Sequence, residues 1–230
     1  MLDDYNQHVT LRANEGIPAK PLTAEQTQAV VNALIDNASE HHQAFIDLLT
    51  RCVPPGVDPA AKVKADFLFK VARGEHSISG LSPEEATTLL GTMQGGYNVR
   101  PLIELLDHPV LAPLAAMQLS ATLLIFEKFS LVESKAKSGN AWAQRVLESW
   151  ARAEWFTRRP AVPEKITLKV FKVSGETNTD DLSPAPVAWS RPDIPLHALS
   201  MLSNAREGVT PDEPGVRGPL RQLAELKEAG

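Results

Sequence analysis

From Leu2 to Thr157 the chain reads as helix after helix, each apolar stretch bracketed by residues that start or stop a helix, and no alternating strand pattern occurs before Lys165. That run of punctuation restricts the first two thirds of the chain to an all-helical architecture. The first helix is expected over Leu2 to Glu15, ended by Gly16 and the prolines at 18 and 21. Thr23 with Gln26 three residues later forms a capping box, in which each side chain satisfies a backbone donor of the other, and Val30, Val31, Leu34 and Ile35 supply the apolar stripe. A third helix spans Glu40 to Cys52 around Phe45, Leu48 and Leu49, until Pro54-Pro55-Gly56 breaks it. Asp58-Pro59 is an N-cap with proline at the first helical position, and Gly74 ends that helix. Ser82-Pro83-Glu84-Glu85 repeats the signature with a second capping box.

The helical pattern continues from Pro101, then over Pro109 to Leu131, and finally over Asn140 to Thr157, with Asn140 as the cap. Short breaks between wide apolar faces favour antiparallel pairs stacked on one another, repeating at about 40 residues, within the range of HEAT-type units. The last helix carries Trp142, Val146, Leu147, Trp150, Trp155 and Phe156. A tryptophan stripe of this kind is expected to seal the helix against its neighbours, the alternative being a platform for a ligand. Gly91 to Asn98, GTMQGGYN, is glycine-rich, but it lacks the Lys-Ser or Lys-Thr ending of a phosphate loop and follows no strand. It reads as a turn between helices.

The pattern changes after Arg158-Arg159-Pro160 and Pro163, which mark a domain boundary. Ile166, Leu168, Val170 and Val173, interspersed with Lys165, Lys169 and Lys172, predict a strand with one face partly exposed. Glu176 to Asp181 offers no apolar residue to bury and reads as a loop, the kind of segment that presents polar groups to a ligand. Pro184, Pro186 and Pro192 stiffen the next stretch of chain, and Arg191 stands alone among them. Its planar fork of donors suits a carboxylate, either of a substrate or of a nearby acid such as Asp180 or Asp193. Pro195 to Ala205 is expected to be a helix, Glu207 to Gly218 irregular, and Pro219 to Ala229 a final amphipathic helix.

Composition closes several functional classes. A net charge of −5 and a pI near 5.7 provide no general attraction to nucleic acid or to an anionic membrane. Residues 145 to 172 form a local exception, with seven basic side chains against three acidic ones, read as a solvated face or as an RNA contact. No apolar run approaches the roughly 20 residues of a membrane helix, and Met1-Leu2-Asp3-Asp4 lacks the features of a signal peptide, so a cytoplasmic location is expected. The lone cysteine, Cys52, excludes an internal disulfide, and the six histidines show no metal-binding spacing. No Gly-x-Ser-x-Gly nucleophile turn occurs.

Two groups of strings carry a resemblance to a known family. GETNTDDLSPAP followed by AWSRPDIPLHAL resembles the opening of the swivel domain of the bacterial aconitate hydratase B family, and LLGTMQGGYN with ESWARAEWF resembles that family's HEAT-like N-terminal domain. The resemblance implies a mainly α chain: a HEAT-like α-helical superhelix over residues 1–158, followed by a partial mixed α/β swivel domain over 165–230. It also implies a lyase of the tricarboxylic acid cycle, which interconverts citrate and isocitrate through cis-aconitate on a 4Fe-4S cluster and in many members acts on 2-methylisocitrate. Under it Arg191, in WSRP, becomes a substrate-binding arginine. Asp180 becomes either an active-site aspartate or a turn residue capping its own backbone, and Asp181 keeps the turn role.

The same resemblance sets a limit. An aconitase-type cluster takes three cysteine thiolates and the family's serine base sits in a Gly-Ser-Ser-Arg loop, whereas this chain has one cysteine and no such string. The expectation is therefore a non-catalytic portion that binds no cluster alone, self-associates as a homodimer through its helical domain, and contributes one edge of a tricarboxylate site. The alternative is a helical-repeat module for protein interaction or RNA binding.

Overall fold

The computed structural model describes residues 2–14, 19–36, 41–158, 161–185, 197–198, 200–204, 206, 208–212 and 216–229. It divides into two compact units, one of residues 1–7 and 21–159 and one of residues 8–20 and 160–230. Helix α1 (Leu2–Asn14) runs from the first set into the second.

The first unit contains α2 (Ala24–Asp36), α3 (His42–Arg51), α4 (Pro59–Ala72), α5 (Pro83–Gly91), α6 (Val99–Leu105), α7 (Ala112–Ala121), α8 (Phe129–Lys137), α9 (Ala141–Ala151) and the four-residue α10 (Glu154–Thr157). Helices pack on the next or next-but-one in sequence, in the series α2–α4–α5–α7–α9, while α3, α6 and α8 lie against α2, α7 and α9 respectively. Their inner faces build one apolar core in which Val30, Leu34, Leu49, Leu68, Leu90, Leu102, Leu119 and Val146 are fully buried.

The caps form where the residues predict them. Thr23 and Gln26 exchange bonds of 2.9 and 3.2 Å, Ser82 and Glu85 bonds of 2.7 and 3.1 Å. The Asp58 carboxylate accepts from the Ala60 amide at 2.8 Å, and Gly74 supplies the left-handed residue that follows α4. Asn140 does more than cap: its Oδ1 accepts from the Ala143 amide while its Nδ2 donates to the Leu106 carbonyl and to Asp107. The start of α9 is thereby tied to the end of α6.

The glycine-rich turn joins α5 to α6 as expected, and its glycines serve contact between backbones. Gln94, Gly95 and Gly96 all have positive φ. Gly96 lies so close to Gly56 that a Cβ on it would stand 2.3 Å from the Gly56 carbonyl oxygen. The Gly56 amide donates to Met93 and the Tyr97 amide to Gly56, so two distant loops clasp each other through main chain alone.

Three expectations for this unit are corrected. The helix over Pro109 to Leu131 breaks: α7 ends at Ala121, Thr122 is extended, and Leu123 and Leu124 cross the glycine turn, where a Cβ on Gly95 would meet Leu124 at 2.6 Å. The Thr122 hydroxyl donates back to the Gln118 carbonyl, which eases the exit from the helix. The helix over Asn140 to Thr157 also breaks, at left-handed Ala153. That reversal brings Glu154 to 2.6 Å from Arg145, nine residues back, a separation of roughly 13 Å along an unbroken helix. Finally, the tryptophan stripe seals only in part. Trp150 packs on the core with Phe129, but Trp142 is 39 % exposed, Trp155 52 % and Phe156 56 %.

In the second unit the expected strand is absent: among the described residues there is no sheet, and 161–178 runs without regular structure. Ile166, Leu168 and Val170 are 59, 74 and 80 % exposed. A strand needs a ladder partner for its backbone groups, and the described chain offers this one none. The described residues are thus mainly α, with no mixed sheet among them. The single-turn helix α11 (Thr179–Leu182) comes next, and α12 (Pro219–Glu228) closes the unit. Asp212 serves α12 as a remote cap, its carboxylate accepting from the amides of Gly218, Leu220 and Arg221. The helix expected over Pro195 to Ala205 is corrected where it is described: His197 and Ala198 are helical, but residues 200–204 form turns with Leu202 at positive φ, while 195, 196, 199 and 205 lie outside the described residues.

Candidate functional site

The loop expected to present polar groups is organised around α11. Asn178 is its N-cap: Oδ1 accepts from the amides of Asp180 and Asp181 at 2.8 and 3.1 Å, and Asp181 returns the bond by accepting from the Asn178 amide at 3.0 Å. This reciprocal cap gives the two neighbouring acids different environments.

Asp181 is locked. Its Oδ2 also takes the Arg206 guanidinium at 2.8 Å, and both side chains of this pair are about nine-tenths covered, at 14 and 13 % exposure. Arg206 goes on to donate to the Thr177 hydroxyl at 3.2 Å and the Ser174 carbonyl at 2.8 Å. Asp180, by contrast, stays exposed, and among the described residues its carboxylate accepts a long 3.4 Å bond from the Ala185 amide. The turn is held further by Ser183, whose hydroxyl lies 3.0 Å from His197 Nε2, and by the Leu202 amide donating to the Asp181 carbonyl.

Among the described residues of this loop Glu176 and Asp180 are both exposed carboxylates, and Asp180 stands on a turn held by the Asp181–Arg206 ion pair. Arg191 and Asp193 lie outside the described residues. Arg206 is the organising residue that sequence reasoning missed. No spacing signals it, because its partners precede it by 25 to 32 positions. Of the basic stretch 145–172, Arg145 is engaged by Glu154 and Lys169 donates to the Ala229 carbonyl.

A cluster held by three thiolates does not fit this chain. Its sequence has one cysteine, Cys52, partly buried against the helical core, and no three potential metal ligands converge among the described residues. Among those residues no helix is long and apolar enough to cross a membrane.

Fold and turn together define a mainly α protein whose helical unit is followed by a smaller one carrying an exposed carboxylate. The family described as Aconitate B N-terminal domain matches residues 4–156, and the one described as Aconitate hydratase 2 N-terminus matches 168–230. Aconitate hydratase B of Escherichia coli (strain K12) is 59% identical over 230 residues, covering 100% of this chain and 27% of the relative. That of Salmonella typhimurium is 58% identical over the same length, and that of Synechocystis 47% identical over 232 residues. This chain belongs to the aconitate hydratase B family. It spans about a quarter of the length of the curated relatives it matches.

Proposed function

We propose that this chain is the N-terminal portion of a cytoplasmic aconitate hydratase that interconverts citrate and isocitrate through cis-aconitate. Residues 1–158 form a HEAT-like helical domain that shapes substrate access and self-association as a homodimer. Residues 165–230 form the first part of the swivel domain. Arg191 binds a substrate carboxylate through its guanidinium fork, and Asp180 faces the same substrate from the α11 turn. The cluster and its thiolates belong to parts of the enzyme outside these residues, and no step of the hydration is assigned to this chain.

The observation that supports this reading is the likeness itself, which covers the whole chain at 59% identity, with family matches over residues 4–156 and 168–230, the second range containing Asp180 and Arg191. The exposed setting of Asp180 supports it, since its carboxylate is open to a ligand, whereas the neighbouring Asp181 is largely covered and paired with Arg206.

The test uses an enzyme of the relatives' full length that carries this chain. Arg191→Gln is expected to lower kcat/KM for citrate by about 10- to 100-fold, the loss of a charge-assisted carboxylate contact, with cluster content unchanged. Unaltered kcat/KM would remove Arg191 from the substrate site. The 230-residue chain alone, supplied with iron and sulfide, is expected to form no cis-aconitate from citrate above the enzyme-free rate.

A further inference from the structure

The exposed end of the tryptophan stripe lines a cleft that the proposed hydratase role does not use. Helices α7, α9 and α10 enclose a volume of about 320 Å³, at the lower end of the range for small-molecule sites. Its walls are apolar and flat: Met117 on α7, Trp142 on α9 and Trp155 on α10. All three are substantially exposed, although large apolar side chains at helix packing positions are normally covered.

The polar groups of the cleft are arranged unequally. Arg145 and Glu154 pair at 2.6 Å on the wall, and the Arg145 guanidinium holds the Glu154 carboxyl below the usual carboxylate range, so Glu154 is ionised and already matched. Arg158 lines the same cleft on an exposed side chain, close enough to Glu154 for its charge to help hold that carboxyl ionised. Two guanidiniums against one carboxylate give the lining of the cleft a net positive charge beside two indoles, with Glu148 also near enough to act on Arg145. Such a site favours an anion with a flat apolar body. A tricarboxylate, hydrated on every side, gains nothing from these walls.

We propose that the cleft between α7, α9 and α10 binds a small aromatic monocarboxylate, its ring against Trp142, Trp155 and Met117 and its carboxylate on Arg158. The left-handed turn at Ala153 is what makes the site, because it swings Trp155 and Arg158 away from the axis of α9 to face Trp142. Arg145 is a positioning residue: by pairing with the ionised Glu154 it offsets the charge that would otherwise repel the ligand.

Calorimetric titration of the 230-residue chain with phenylacetate, phenylacetamide and acetate tests this directly. Phenylacetate is expected to bind saturably and about tenfold or more tightly than the neutral amide, the discrimination expected of one charge-assisted contact. Acetate, lacking the ring, is expected to show no saturation by about 10 mM. Arg158→Gln, at an exposed position where folding is not at stake, is expected to bring acid and amide to equal affinity without abolishing either. Trp155→Ala is expected to weaken both. Equal binding of acid and amide by the unaltered chain, a preference that survives Arg158→Gln, or no saturable phenylacetate binding would each overturn the proposal.

Discussion

Replacing Gly96 by alanine isolates the contribution of the backbone clasp between the two loops of the helical unit. Two costs add. The residue sits at φ +81°, where an L side chain costs about 1–2 kcal/mol. The new Cβ would also lie 2.3 Å from the Gly56 carbonyl oxygen, so the loops must separate by roughly 1 Å, weakening two main-chain hydrogen bonds worth about 1 kcal/mol each. Reduced freedom of the unfolded chain returns about 0.5 kcal/mol. The expected loss is about 3 kcal/mol, equivalent to a fall in Tm of about 6–12 °C for a unit of this size. Gly139→Ala is the control, since Gly139 has φ +93° but open space around its would-be Cβ. It should lose only the conformational cost, about 2–4 °C. Thermal unfolding followed by far-ultraviolet circular dichroism compares the two. Equal losses would refute the close approach of the loops, whatever their absolute size.

Two other outcomes are expected from the ion pairs. Asp181→Ala leaves Arg206 covered without its counter-charge and should destabilise the second unit by about 2–4 kcal/mol; a double-mutant cycle with Arg206→Gln in urea unfolding should give a coupling of about 1–3 kcal/mol, and additive losses would contradict the pairing. Asp107 is held below the usual carboxylate range chiefly by the hydrogen bond from Lys135, with Asn140 assisting. A depressed carboxyl stabilises the fold in full above its unfolded value and loses that contribution as pH falls through the folded one. Asp107→Asn should therefore cost less than about 1 kcal/mol at pH 7, this side chain being well exposed, and progressively less as the pH falls below the ordinary carboxylate range. A stability difference that is constant across that range would exclude the linkage.

What the sequence revealed was what adjacent residues decide among themselves. Thr23 with Gln26, Ser82 with Glu85, Asp58 with Ala60 and Asn140 with Ala143 each close a cap within three positions, so helix starts are written locally. The errors fall where a distant group overrides the local preference. Leu123 to Phe126 has the apolarity of a helix interior, yet it leaves the helix to cross Gly95. Ala153 is the best of helix formers and still turns left-handed, because Glu154 finds Arg145 that way. The run from Ile166 to Val173 has every mark of a strand, but pairing is a property of two segments, and periodicity in one of them cannot supply the other. The candidate site was legible in TNTDD, where Asp181 was assigned to the turn and Asp180 left open; the ion pair that fixes Asp181 was not, since Arg206 reaches it from 25 positions further along the chain.

Arg206 also imposes an order of events on synthesis. The turn bearing Asp180 is complete only when a side chain 25 positions beyond Asp181 arrives to hold Ser174, Thr177 and Asp181 together. While the ribosome is still decoding the intervening codons, Asp180 rides on an unanchored loop, and the helical unit ahead of it has already been released to fold. The turn that carries this exposed acid is therefore fixed only after the residues ahead of it, once Arg206 has joined the chain.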